Sequence, residues 1–276
     1  MKSAPFSYVR PATLPEALAA LDGQDGMARA LAGGQSLVPM LNLRLAPVDR
    51  IVDIGRLPEL RRVQAGADSI FYGALATHAA FEDRGVPDGS NGLMPFVASR
   101  IAYRAVRNRG TIGGSLALAD PAADWLPTVV ALGAALHLVG PAGRRRVPAA
   151  DFVLGPYMTA LDESELIEGV EVPRQAASAR WGVSKVAVKT GEYAESLAVA
   201  VIDRAARSAR IVLGATDGAP IRLERTAEYL LSGSGLGRLA EVAGEELMDS
   251  GRDFTPARLR MHVTTVTRAV RDAEVP

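Results

Sequence analysis

Two Gly-Gly pairs stand about eighty residues apart, each followed by a small polar residue: Leu31-Ala32-Gly33-Gly34-Gln35-Ser36 and Thr111-Ile112-Gly113-Gly114-Ser115. Adjacent glycines let a backbone turn through φ > 0 and approach another backbone or a ligand with no Cβ between. Successive N–H groups in such a turn can converge on an anion. A single pair is an ordinary tight turn. Two pairs, with the hydroxyls of Ser36, Thr111 and Ser115 beside them, point to a diphosphate held from both sides. Neither pair fits G-x-G-x-x-G, and neither is followed by the Lys-Ser/Thr of a P-loop.

Composition narrows the rest. The chain has 276 residues, 48% of them hydrophobic, enough for a sizeable core and more than one domain. Lysine plus arginine equals aspartate plus glutamate at 31 each, so no global basic field draws the chain to nucleic acid. Cysteine is absent, which excludes disulfides, zinc-thiolate sites and an iron–sulfur cluster held by cysteines of this chain. No stretch reaches the ~18 consecutive apolar residues of a membrane span. Lys2 leads to Pro5 and Arg10 rather than to an apolar signal region, so a cytoplasmic soluble protein is expected.

Thr13 with Glu16 fits a capping box for a helix ending at Leu21. Residues 27–31 read as a strand running into the first glycine pair. Ser36 reads as the cap of a helix over 37–45, and 51–54 and 69–72 as strands. Leu93, Phe96, Val97 and Ile101 recur at helical spacing in a segment closed by Gly110. A helix is expected to start within 120–124 and close near Gly133. A strand over 134–139, a turn at Pro141-Ala142-Gly143, and apolar stretches at 147–153 and 166–172 follow. Residues 175–178 are small and polar, a candidate domain seam. Beyond them, 181–188, 197–203 and 209–213 read as antiparallel strands, and 225–231, 236–247 and 256–272 as helices, with Pro256 in a favoured first-turn position. This order predicts an α+β fold with at least two domains.

The remaining chemical signals are sparse. Asp124 is either a helix cap or an acceptor for a sugar hydroxyl. Lys185 lies mid-strand, on a solvated face or near a bound group whose charge it offsets. Tyr193 is either core or a platform for a cofactor. His78, His137 and His262 have no metal-ligand spacing, and each reads as a surface or satisfied core histidine. No G-x-S-x-G elbow supports a hydrolase. Arg144-Arg145-Arg146 reads as a solvated hairpin tip, and residues 232–237 as a loop between helices. No catalytic acid–base set and no metal site emerges, which points to chemistry carried by a cofactor.

Three strings carry a resemblance: Ala32-Gly33-Gly34-Gln35-Ser36-Leu37, residues Val106 to Leu116 with their R-N-R-G-T-I-G-G-S core, and Asp120-Pro121-Ala122-Ala123-Asp124. Together they resemble the FAD-binding medium subunit of molybdenum hydroxylases, the family of the xanthine dehydrogenase flavin domain and the carbon monoxide dehydrogenase flavoprotein. The resemblance implies a two-part PCMH-type FAD-binding domain over 1–175, divided into about 1–56 and 57–175. A C-terminal α+β domain over 176–276 would follow, an antiparallel sheet with helices. It implies that Leu31, Ala32, Gly33, Gly34, Gln35, Ser36, Leu37 and Val38 form one pyrophosphate loop. Thr111, Ile112, Gly113, Gly114 and Ser115 would form the other. Asp124 would contact the FAD sugar portion, Ile101 and Ile167 would give apolar surroundings, Lys185 would lie near the isoalloxazine, and Tyr193 would face the flavin ring. Departures stand at Gln35 and Leu118, where histidine is frequent, and at Val188, where arginine is common.

By the same resemblance, the chain is an electron-exit oxidoreductase subunit carrying FAD and acting only in complex. Molybdopterin would sit in a large partner subunit and two iron–sulfur clusters in a small one, as a heterotrimer or a dimer of heterotrimers. The alternatives are a stand-alone FAD-dependent oxidase or reductase and a non-catalytic nucleotide-binding regulator.

Overall fold

The computed structural model describes residues 2–22 and 26–274. The outermost residues assigned to the two domains, 1 and 275–276, therefore lie outside the described residues. Three principal sheets follow one another along the chain. The first is parallel, with Arg50–Asp53 between Ser7–Val9 and Ala28–Leu31. The second is antiparallel, in the order Val63–Ala65, Ser69–Gly73, Leu166–Pro173, Ala135–Gly140, Gly143–Pro148. The third, also antiparallel, runs Arg180–Val186, Ser196–Asp203, Ser208–Gly214, Ile221–Arg222.

The strand Ser196–Asp203 shows why the C-terminal part folds as it does. Successive side chains point to opposite faces, and both faces are apolar. Ala198, Ala200 and Ile202 pack toward the helices Glu224–Leu231, Leu239–Met248 and Pro256–Glu274. Val199 and Val201 join a core shared with the second sheet and with the helices around Trp125 and Leu93. The third sheet is thus buried between two layers, which fixes its position against the N-terminal part. Leu14, Ala17 and Leu21 of the helix Leu14–Leu21 pack with Val52, Leu57, Leu75 and Leu166, and this smaller core ties the first sheet to the second.

Several expectations need correction. Thr13 does cap the first helix, but Glu16 accepts from the Ala12 amide at 2.8 Å, one residue upstream of the capping-box pattern. The segment from Leu93 to Gly110 is two helices, Leu93–Ser99 and Arg104–Arg107, because Ala102 takes a left-handed φ of 43° between them. The helix after the first glycine pair is only Leu37–Asn42, and Ser36 makes no side-chain capping bond. Arg144, Arg145 and Arg146 are solvated beside the hairpin turn as expected, and they are also ion-paired. They lie within the edge strand Gly143–Pro148 and pair with Glu168, Glu165 and Glu171, respectively.

Candidate functional site

The two glycine segments meet. A Cβ on Gly33 would lie 2.1 Å from the Arg109 carbonyl oxygen and 2.9 Å from the Gly110 Cα, so only glycine permits this approach. The contact closes one side of a cleft of about 930 Å³. Ala32, Gly33, Gly34, Gln35, Ser36 and Leu37 line it, together with Thr111, Gly113, Gly114 and Ser115.

The segments present different chemistry. The first is a turn with Gly34 left-handed at φ 74°. Its amides from Gly33 to Leu37 have no hydrogen-bond acceptor among the described residues. The Gln35 side chain reaches back to the Gly33 carbonyl at 3.4 Å. The second is not a left-handed loop. Thr111 caps the helix Ile112–Leu118 by accepting from the Gly114 amide at 3.1 Å, and both glycines lie in its first turn. Its amides are already bonded: Ile112 to the Ala76 carbonyl, Gly113 to Ala74, and Ser115 to Thr111. Gly113 is glycine for space, since a Cβ there would meet Ala74 at 2.5 Å.

Asp124 opens the helix Trp125–Ala131, yet its carboxylate caps nothing. It lines the cleft and takes the Lys185 ammonium at 2.8 and 3.0 Å. Burial pushes the Asp124 carboxyl up from the ordinary range, and the ammonium opposes that push. Asp120, also on the wall, accepts from the Tyr157 hydroxyl at 3.2 Å. Tyr193 lies 63% exposed at the mouth. Burial, then the charges of Asp120 and Asp124, hold its hydroxyl above the ordinary phenol range.

Ile101 and Ile167 also line the cleft, so fourteen of the predicted residues share one wall system. Four do not. Leu31 turns into a small core with Leu41, Val48 and Ile51, and Ile112 is wholly buried. Val38 points outward from its helix. Lys185 is absent from the cleft wall itself, and its ammonium meets the wall at Asp124. Sequence reasoning missed Tyr157, on the turn between Val153–Gly155 and Met158–Thr159, and Met158, which opens the second of these strands; Gly155-Pro156 was the available signal. It also missed His78, which lines the cleft while only 5% exposed.

Comparisons with known proteins agree with this geometry. The family described as "FAD binding domain in molybdopterin dehydrogenase" matches residues 4–175. The carbon monoxide dehydrogenase medium chain of Hydrogenophaga pseudoflava is 36% identical over 221 residues, 80% of this chain and 77% of that one. The nicotine 6-hydroxylase medium subunit of Paenarthrobacter nicotinovorans is 34% identical over 248 residues, covering 89% and 87%. A solved chain of the Hydrogenophaga pseudoflava carbon monoxide dehydrogenase superposes with a TM-score of 0.92 at 33% identity, covering 99% of each chain. The family match covers more than half of the chain and the superposition nearly all of it: this chain is a member of the FAD-binding medium-subunit family of molybdopterin dehydrogenases.

Proposed function

We propose that this chain holds FAD in the cleft between its glycine segments and serves as the electron-exit subunit of a molybdopterin and iron–sulfur hydroxylase complex. The observation that carries the reading is the run of unbonded amides from Gly33 to Leu37, set against the Arg109-Gly110 approach to the second glycine segment. Such an array fits a diphosphate without any lysine or arginine clamp. Arg29 is the one arginine on the cleft wall among the described residues, and no lysine lines it.

The residues present fit the rest of the dinucleotide. Asp124 accepts from a sugar hydroxyl, and its Lys185 partner opposes the upward push that burial gives the carboxyl. Ile101 and Ile167 offer apolar walls, and Tyr193 faces the ring. Bound there, FAD supplies the exchange of electron pairs and single electrons that no side chain of this chain can perform. The chain's own tasks are to orient that group, leave one ring edge open at the Tyr193 side, and exclude water elsewhere.

In this reading residues 1–175 grip the dinucleotide and residues 176–276 close over its ring end through Lys185 and Tyr193. Electrons arrive from one of two clusters in a small iron–sulfur subunit, after substrate oxidation in a large molybdopterin subunit. The relatives' names as medium chains and subunits support such an assembly, a heterotrimer or its dimer. The test is direct. The purified chain incubated with FAD should retain one flavin per chain and show flavin absorbance, yet oxidise the complex's substrate only when both partners are added. A chain that stays colourless, or that turns over substrate alone, contradicts the proposal.

A further inference from the structure

We infer that His78 is a further binding residue of the cleft, its Nε2–H donating to a phosphate oxygen of the bound dinucleotide. This rests on the FAD reading and adds a donor outside both glycine segments. The Trp125 indole N–H lies 3.0 Å from His78 Nδ1. An indole can only donate, so Nδ1 carries the lone pair and the neutral ring must bear its hydrogen on Nε2. That N–H has no acceptor among the described residues, although His78 is 95% buried and lines the cleft. That N–H opens onto the cleft, where a phosphate oxygen can accept from it.

The position selects phosphate over the rest of the ligand. A Cβ on Gly110 would stand 2.7 Å from His78 Nε2, and the His78 amide donates to the Gly110 carbonyl at 2.9 Å. Gly110 and the neighbouring Arg109 are the residues on which Gly33 rests. The imidazole therefore sits beneath the junction of the two glycine segments, where the diphosphate is expected. The second segment needs such a donor, because its amides from Ile112 to Ser115 are already bonded. Ring contacts with Trp125, and from Trp125 to Phe81 at 5.2 Å, hold the orientation. Burial and the nearby Arg107 charge keep the ring neutral down to about 4, so its tautomer persists at ordinary pH.

The test compares wild type, His78→Leu and His78→Gln for binding of FAD, ADP and adenosine by calorimetry and competition. His78→Leu should weaken FAD and ADP by roughly tenfold or more and leave adenosine unchanged, since a charge-assisted bond to phosphate is lost. His78→Gln, which keeps an N–H donor, should recover part of the loss. Unaltered ADP binding in His78→Leu, or an equal loss for adenosine, overturns the inference while leaving the FAD reading intact. A wild type that binds neither FAD nor ADP defeats the FAD reading itself. Nitrogen-15 spectra of the wild-type imidazoles decide the matter should the variants not fold. Addition of ADP should shift the His78 Nε2–H resonance, and an unmoved resonance overturns the inference.

Discussion

From Gly33 to Leu37 the backbone amides find no acceptor among the described residues, whereas from Ile112 to Ser115 every amide is bonded, to Ala76, Ala74 or Thr111. The first segment leaves its amides open, and the second has them bonded within the fold. The first follows the edge strand Ala28–Leu31 and turns through a left-handed glycine, so nothing among the described residues claims its N–H groups. The second begins a helix capped by its own threonine, and it lies against Ala74, which explains glycine at 113 without any ligand. Close approach explains Gly33 as it explains Gly113, and the two pairs differ in their amides: open in the first, bonded within the fold in the second.

Substitutions can break this comparison. Gly33→Val is expected to have the largest effect, because its side chain must displace the Arg109 carbonyl that now sits at contact distance. The cost should be on the order of several kcal/mol of stability, with complete loss of FAD. Urea denaturation and the flavin-to-protein ratio measure both, and a stable, yellow Gly33→Val protein would show that the segments need not touch.

Acidification tests the buried support beneath the second segment. Folded His78 takes its proton near about 4, while an unfolded histidine does so near about 6.5. Between these values the unfolded chain binds more protons, so stability rises with pH and is lost as pH falls through the window, by up to about 3 kcal/mol. His262, buried with its Nδ1 2.8 Å from the Ser196 hydroxyl, is also held down to about 4 and adds to the same slope. Urea midpoints between pH 7 and pH 4.5 should therefore fall less steeply in His78→Gln than in wild type. An unchanged slope would remove His78 from the account.

The smallest effect sharpens the contrast. Thr111→Ala removes the cap of the second helix and should cost about 1 kcal/mol of stability. FAD affinity should change far less than in a variant of the first segment, as titration of flavin fluorescence would register.

Much of this organisation was legible in the chain. The apolar run over 197–203 announces a strand, and Gly33 and Gly113 mark positions where side chains cannot fit. The three strings that carry the resemblance locate both glycine walls of the cleft and Asp124 between them, about a third of its lining. What was hidden depends on long-range partners. Whether Ser36 caps, whether Asp124 meets Lys185, and which amides are already bonded follow from tertiary contacts rather than from local composition. His78 carried no motif: its tautomer is set by a tryptophan 47 positions away in the chain. The exposed strand Ser7–Val9 escaped because three residues without an apolar alternation give no periodic signal.

Amide hydrogen exchange on the full chain, with and without FAD, examines the difference between the two segments most directly. Protection should rise strongly on FAD addition across Gly33 to Leu37 and hardly at all across Ile112 to Ser115, which is bonded in advance. Equal protection of both stretches, or none in the first, would contradict the assignment of the diphosphate to the open amides.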